Sequence, residues 1–200
     1  IFGDFDLTGV VFGEVTWSDL FRVTIIPVYV MVVSNLVNMH SGYNGLQSGL
    51  SIIVISTLLV KSRMDGIIDE VLPSGAFLGA MIALWWFNKY PAKVFEGNIG
   101  SLLFGSVIGG IIVIQEYWWF GFFILIPHTV NFLLWIVWLV MMKKYPKEYL
   151  EEDGRHNKFG CVREDGTLKV PNRLTLKWIP NYYWRLTEGQ STIILYLITS

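Results

Sequence analysis

The apolar residues of this chain fall in long runs separated by short polar stretches, a pattern of helices rather than strands. A helix crossing the hydrocarbon layer needs about 20 mostly apolar residues. Five runs meet or approach that length: 20–39, broken by Pro27; 46–60, short for a span; 67–87, with Pro73 near its start; 99–114; and 117–142. A sixth begins at Ser191 and is cut off at Ser200. Residues 1–16 alternate apolar and polar positions around glycines, which predicts a small hairpin outside the membrane. Residues 143–190 form a long polar stretch, and the run from Val162 to Val170 predicts a second hairpin turning at Asp165-Gly166. The expected fold is all-α, one polytopic membrane domain with about five complete transmembrane helices and a truncated sixth. The chain starts at Ile1 and ends inside an apolar run, so it is expected to be part of a longer chain.

Composition sharpens this picture. Only 16% of the 200 residues are charged, too few to cover a soluble globule, where about a quarter is usual. The mean hydropathy is +0.49, and nine Trp suit aromatic anchoring at a membrane interface. With a net charge of −1 and no basic stripe outside the loops, no nucleic-acid partner is expected. The one cysteine, Cys161, excludes an internal disulfide and a cysteine-rich metal site.

The distribution of Lys and Arg predicts orientation, because cytosolic loops carry the excess of these residues. The loops 38–49, 87–100 and 143–190 together hold twelve of the 15, leaving only Arg22, Lys61 and Arg63 on the other side. The first set is therefore expected in the cytosol, with the 1–16 hairpin opposite.

Three polar stretches stand out. From Ser34 to Gly49, three asparagines and three glycines mark the place where one helix ends and the next begins. Asn35 and Asn38 share a helix face. Hydrogen bonding between helices and an Asn44-Gly45 turn account for much of this, but the glycines also allow backbone to approach a ligand closely. From Tyr90 to Gly100, a loop leads into a helix start, where free N–H groups favour an anion and Asn98 is suited to cap. From Gly154 to Gly160 runs a basic loop containing Arg155 and His156. His128 and Asn131 are expected to pack or hydrogen-bond, and His40 to lie at the interface. Gly105-x-x-x-Gly109 is a close-packing signature and a candidate face for a homodimer.

In this order, the stretches resemble the polyprenyl-phosphate N-acetylhexosamine-1-phosphate transferases, most closely the eukaryotic and archaeal dolichyl-phosphate GlcNAc-1-phosphotransferases. The pattern Asn-x-x-Asn-x-x-x-Gly-x-Asn-Gly-Leu is matched by Asn35, Asn38, Gly42, Asn44, Gly45 and Leu46. The pattern Tyr-Pro-x-x-Val-Phe-x-Gly-Asp is matched by Tyr90, Pro91, Val94, Phe95 and Gly97, with Asn98 where that family has aspartate. Ile126, Pro127, Asn131 and Phe132 match a later helix motif, and Arg155 and His156 a loop motif. The resemblance spans most of the chain and corresponds to the C-terminal half of that family.

The resemblance implies that a lipid phosphate attacks the β-phosphorus of a UDP-sugar, UMP leaves, and a lipid-pyrophosphate sugar stays in the membrane, the archaeal plasma membrane or the endoplasmic reticulum. It implies Mg²⁺ (or Mn²⁺) as cofactor, with Asn38 and Asn98 at the metal-diphosphate. Asn44 and Phe95 would face the uridine, Arg155 and His156 would face the sugar and pyrophosphate, and Asn35 is a further expected substrate-binding residue. His156, Asn38 and Asn98 are the expected catalytic residues. Asn98 offers a neutral amide where a carboxylate is usual, which should weaken metal binding. The paired aspartates of that family lie in its N-terminal half, and this chain has no Asp-Asp pair. The alternatives are a transporter, with polar residues at broken helices near the midplane, and a non-catalytic scaffold descended from the transferases.

Overall fold

The computed structural model describes residues 21–67, 71–149 and 160–200. The expected 1–16 hairpin and the loop residues Arg155 and His156 lie outside these described residues. The chain is mostly helical: α1 (Ile26–Met39), α2 (Leu46–Met64), α3 (Val71–Asn88), α4 (Gly97–Ile114), α5 (Trp118–Ile124), α6 (Ile126–Lys144), the single turn α7 (Pro146–Tyr149), α8 (Trp178–Tyr183) and α9 (Glu188–Thr199). By length and composition, Arg22–Met39, α4 and α6 can each cross a membrane. Helices α2 and α3 are 19 and 18 residues long.

Proline sets two of the boundaries. Pro27 does not interrupt a helix; it sits in the first turn of α1, after one π-helical turn at Phe21–Ile25. Proline removes one backbone hydrogen bond and crowds the turn before it, and the wider π-helical turn at Phe21–Ile25, which runs directly into α1, falls where that strain is relieved. The run 117–142, expected as one helix, is divided at Leu125 into α5 and α6. Pro127 cannot donate to the carbonyl four residues back, and its ring crowds that turn, so the helix breaks just before it. The last helix starts at Glu188 rather than Ser191, because Thr187 and Gln190 form a capping box that satisfies two otherwise free N–H groups.

Helix α1 packs most extensively on α4, and α2 on α3, with α2 also against α4. The main core joins Val33 and Val37 of α1, Val54, Ile55 and Leu58 of α2, Met81 of α3, and Phe104, Ile108 and Ile112 of α4. The α1–α4 seam is made of small residues. A Cβ on Gly105 would lie 2.5 Å from the Ser34 Cα, and one on Gly109 would lie 3.2 Å from the Val30 Cα. Ser34 donates from its hydroxyl to the Leu102 carbonyl at 2.7 Å, and Ser106 donates to the Ser34 hydroxyl at 3.2 Å. The Gly-x-x-x-Gly face considered for a homodimer is thus packed inside the chain.

Two ends of the bundle are tied differently. At one, Lys61 pairs with Asp65, the Tyr117 hydroxyl donates to Asp65, and Ser62 donates to the Gln115 amide oxygen. At the other meet the 40–45 loop, the 89–96 loop and the segment from 170 onward. Asn131 of α6 donates to the Met39 carbonyl and accepts from the Leu176 N–H, the hydrogen-bonding role expected for it. The second hairpin forms as expected but is short: Cys161–Val162 (β1) pairs antiparallel with Leu168–Lys169 (β2), and Gly166 takes φ +78° at the turn.

Candidate active site

The polar end holds a cleft of about 230 Å³ between the 41–47 segment, the end of α3 and the start of α4. Asn44, Phe95 and Asn98, named from three separate sequence positions, all line it, with Tyr43, Gln47, Asn88, Glu96 and Ser101. Phe95 is 72% exposed, an apolar ring offered to solvent at the rim.

The walls are held by residues that sequence reasoning passed over. Asn88, only 1% exposed, accepts from the Gly45 N–H at 3.1 Å and the Ser48 hydroxyl at 2.8 Å, and donates to the Val94 carbonyl at 2.9 Å. One amide therefore ties the start of α2 to the loop entering α4. Gln47 does the same for α1, α2 and α4: it donates to the Val37 carbonyl and accepts from the Ser101 hydroxyl. Gly45 takes φ +74°, and a Cβ there would lie 2.9 Å from the Lys89 Cα, so the turn needs glycine both for its conformation and for its space. The signal for Asn88 and Gln47 was available as single amides at the edges of apolar runs, a costly place for them unless paired.

The 170–190 segment closes the back of the site. Lys177 donates to the Ser41 carbonyl at 2.9 Å, its ammonium resting where a Gly42 side chain would be. Tyr43 donates to the Asn181 amide oxygen at 2.9 Å, and Glu188 accepts from the Asn44 N–H. Burial lowers the Lys177 ammonium from 10.5 to about 8. The unfolded chain keeps that proton up to the ordinary lysine value, so between these two pH values it binds more protons and folding is favoured as pH rises. The melting temperature in detergent is expected to climb from pH 8 to 10, with Lys177→Met flattening the climb; equal slopes would show that Lys177 is not held this way. Above pH 10 Tyr43 acts in the opposite sense, because burial and then Glu188 raise its phenol.

The remaining expected residues are placed apart from the cleft. Asn35 is exposed and donates back to the Met31 carbonyl of its own helix. Asn38 is half-buried in the last turn of α1 and does not line the cleft. His40, expected at an interface, is 1% exposed, packed edge-on against His128 at 4.9 Å between ring centres. Neither His40 ring nitrogen has a partner, and burial followed by the nearby His128 and Lys177 lowers its affinity for a proton. Asn98 does not cap α4; it is the second residue of that helix, and Glu96 occupies the position before it without a side-chain cap.

No group of three or more His, Cys, Asp or Glu that could hold a metal occurs among the described residues. The cleft nevertheless offers oxygen donors suited to a hard cation: the Asn98 amide and the Glu96 carboxylate, whose Oε2 is buried with no hydrogen-bond partner. Burial raises the Glu96 carboxyl above its ordinary value, against opposing hydrogen bonds from its own backbone and from Asn88.

Helices long and apolar enough to cross a membrane, with a polar cleft where helix ends meet, fit a membrane protein. The model of glycosyl transferase family 4 matches residues 2–116, and the chain belongs to that family. A Methanocaldococcus jannaschii protein provisionally named a glycosyltransferase is 31% identical over 96% of this chain and 61% of its own length. A Sulfolobus acidocaldarius protein is 36% identical over 61% of this chain and 38% of its own length. It is provisionally named a UDP-N-acetylglucosamine–dolichyl-phosphate N-acetylglucosaminephosphotransferase. The phospho-N-acetylmuramoyl-pentapeptide-transferase of Borrelia duttonii is 33% identical over 63% of this chain and 40% of its own length. The chain thus spans between about two fifths and three fifths of the length of these relatives.

Proposed function

We propose that this chain carries part of the active site of an enzyme that transfers a sugar 1-phosphate, GlcNAc-1-phosphate first among the options, from a UDP-sugar to a polyprenyl phosphate of dolichyl type. UMP is the second product, and the polar end of the bundle faces the cytosol. The observation that carries this reading is the convergence of Asn44, Phe95 and Asn98 on one cleft at the start of α4. The names of the archaeal relatives support the donor and the lipid; the bacterial relative's name supports the same transfer with a different sugar.

In this reading a lipid phosphate oxygen forms a bond to the donor's β-phosphorus as the bond to the UMP oxygen breaks. The protein's task is to position two anions in line and to stabilise charge on the transferring group. Phe95 offers a face for the uracil ring, and the Asn44 amide can both donate to and accept from its edge. The first turn of α4, an 18-residue helix, presents free N–H groups to the diphosphate. Asn98 and Glu96 are the cleft residues that would hold Mg²⁺, with further ligands from the rest of the protein; Asn38, which does not line the cleft, keeps the metal role only as the resemblance implies it. When bound, the ion would neutralise diphosphate charge. Arg155 and His156 keep the donor-facing role that the resemblance implies.

The test is UMP release by the full-length protein in detergent with UDP-GlcNAc, a polyprenyl phosphate and Mg²⁺. Release is expected to need the lipid. Asn44→Ala is expected to lower kcat/KM for the donor about tenfold or more, the size of one lost hydrogen bond of about 1.4 kcal/mol. Asn38→Ala is expected to lose transfer while the protein stays folded. Absence of release with several UDP-sugars from a folded preparation would remove the reading. The position of the polar residues at helix ends, rather than in mid-helix, favours the enzyme over a transporter.

A further inference from the structure

Glu96 stands out once the cleft is assigned. Its carboxylate is part of the cleft wall beside Phe95, Asn98 and Ser101, and Oε2 has no hydrogen-bond partner although it is shielded from water. No Lys or Arg pairs with it: the one ion pair among the described residues, Lys61–Asp65, is at the opposite end of the bundle. Glu96 is half-buried and hydrogen-bonded by its own backbone and by Asn88, but a shielded oxygen left unpaired, as Oε2 is, calls for an explanation such as an ion or a water. Packing alone does not supply one. Hydrogen bonds from its own backbone and from Asn88 favour the charged carboxylate, while burial opposes it. A hard cation bound in the cleft would give that oxygen a partner.

Asn98 cannot supply the charge that a hard divalent cation seeks, because its amide oxygen is neutral. The backbone turns between the two residues, with Gly97 at φ +60°, so that Glu96 and Asn98 line the same cleft although only one residue separates them. Resting on the transferase reading above, we propose that Glu96, and not Asn98, provides the anionic ligand by which this site holds its divalent cation, Asn98 adding a neutral oxygen. The scarcity of other acidic residues here suits a cation that takes oxygens from substrate phosphates and from the rest of the protein.

Binding of Mn²⁺ to the full-length protein in detergent, read by electron paramagnetic resonance without any sugar donor, tests this directly. Glu96→Gln is expected to weaken Mn²⁺ binding by at least about tenfold, the scale on which even residues behind the ligands act, and Asn98→Ala to weaken it less. Wild-type affinity in Glu96→Gln, or a larger loss in Asn98→Ala, overturns the proposal. The Gln variant removes a half-buried charge that no Lys or Arg pairs, so its metal-free melting temperature is expected to match or exceed that of the wild type. Should it not fold, the wild-type protein gives the answer alone. Mn²⁺ is expected to protect Glu96 from carbodiimide labelling, read by mass spectrometry, and equal labelling with and without Mn²⁺ overturns the assignment. The two readings fail separately. Glu96-dependent Mn²⁺ binding in a protein that releases no UMP upholds the cation site without the transfer, whereas UMP release with Mn²⁺ binding indifferent to Glu96 overturns the cation site and leaves the transfer.

Discussion

Asn88→Ala is expected to abolish UMP release and to lower the melting temperature of the full-length protein. The side chain is buried and makes three hydrogen bonds to three different groups: the Gly45 N–H, the Ser48 hydroxyl and the Val94 carbonyl. Alanine leaves the buried Gly45 N–H without this acceptor and the Val94 carbonyl without this donor. The orphaned Gly45 N–H is buried and costs about 1–3 kcal/mol, while Val94 is exposed and its carbonyl can turn to water, so a loss of about 1–3 kcal/mol is expected. The functional loss should exceed the stability loss. The same amide fixes the 44–48 turn, which carries Asn44, relative to the 94–98 segment, which carries Phe95 and Asn98, and a shift of about 1 Å between groups that must act together can cost about a hundredfold in rate. Asn88→Asp separates the two effects. It keeps the acceptor for Gly45 and Ser48 but loses the donor to Val94, and it sets a second carboxylate beside Glu96. It is expected to melt nearer the wild type than the alanine variant does, while its KM for the donor rises. An Asn88→Ala protein with wild-type donor kinetics would remove Asn88 from the positioning of the cleft.

Gly105→Val is expected to be the most damaging single change in the membrane-crossing region. Even a methyl group at this position would sit 2.5 Å from the Ser34 Cα and 2.9 Å from its carbonyl oxygen. The clash is with backbone, so no side-chain rotation relieves it, and α1 must move away from α4. Overpacking of this kind costs about 1–3 kcal/mol and occasionally more. The seam also carries the Ser34 and Ser106 hydroxyl bonds, which a separated pair would lose. Because Asn38 is carried by α1 and Asn98 by α4, the displacement reaches the polar end as well. Thermal unfolding in detergent and UMP release should fall together. Gly110→Ala is the control, since a Cβ there meets nothing within 4 Å, and it should leave both unchanged. Equal behaviour of the two variants would show that the α1–α4 seam is not what holds these helices.

The two substitutions act at different levels, and so does the legibility of the sequence. Helix positions are local properties, and the apolar runs located α1, α2, α3 and α4 to within a few residues. Where the runs misled, the cause was also local: Pro127 divides 117–142, and the Thr187–Gln190 capping box starts α9 early. The Asp165-Gly166 turn was readable because a positive φ at Gly166 is a demand on one residue. Asn44, Phe95 and Asn98 could be named because they stand in short motifs, and the cleft gathers these three.

What the sequence by itself determined, then, is the set of helices, the polar loops between them, and which of those loops carry the residues that meet in the cleft. Only the tertiary structure decided how these are joined. That Asn88 spans two loops, that Gln47 links three helices and that Lys177 backs onto Gly42 depend on contacts between positions 10 to 136 residues apart. It alone placed the Gly105 face inside the chain and left Oε2 of Glu96 buried without a partner. The physical reason is the range of the forces involved. Hydrophobic periodicity and capping act within a turn or two and are written in consecutive residues, whereas the pairing of a buried amide or carboxylate is settled only when distant segments pack and water is excluded between them.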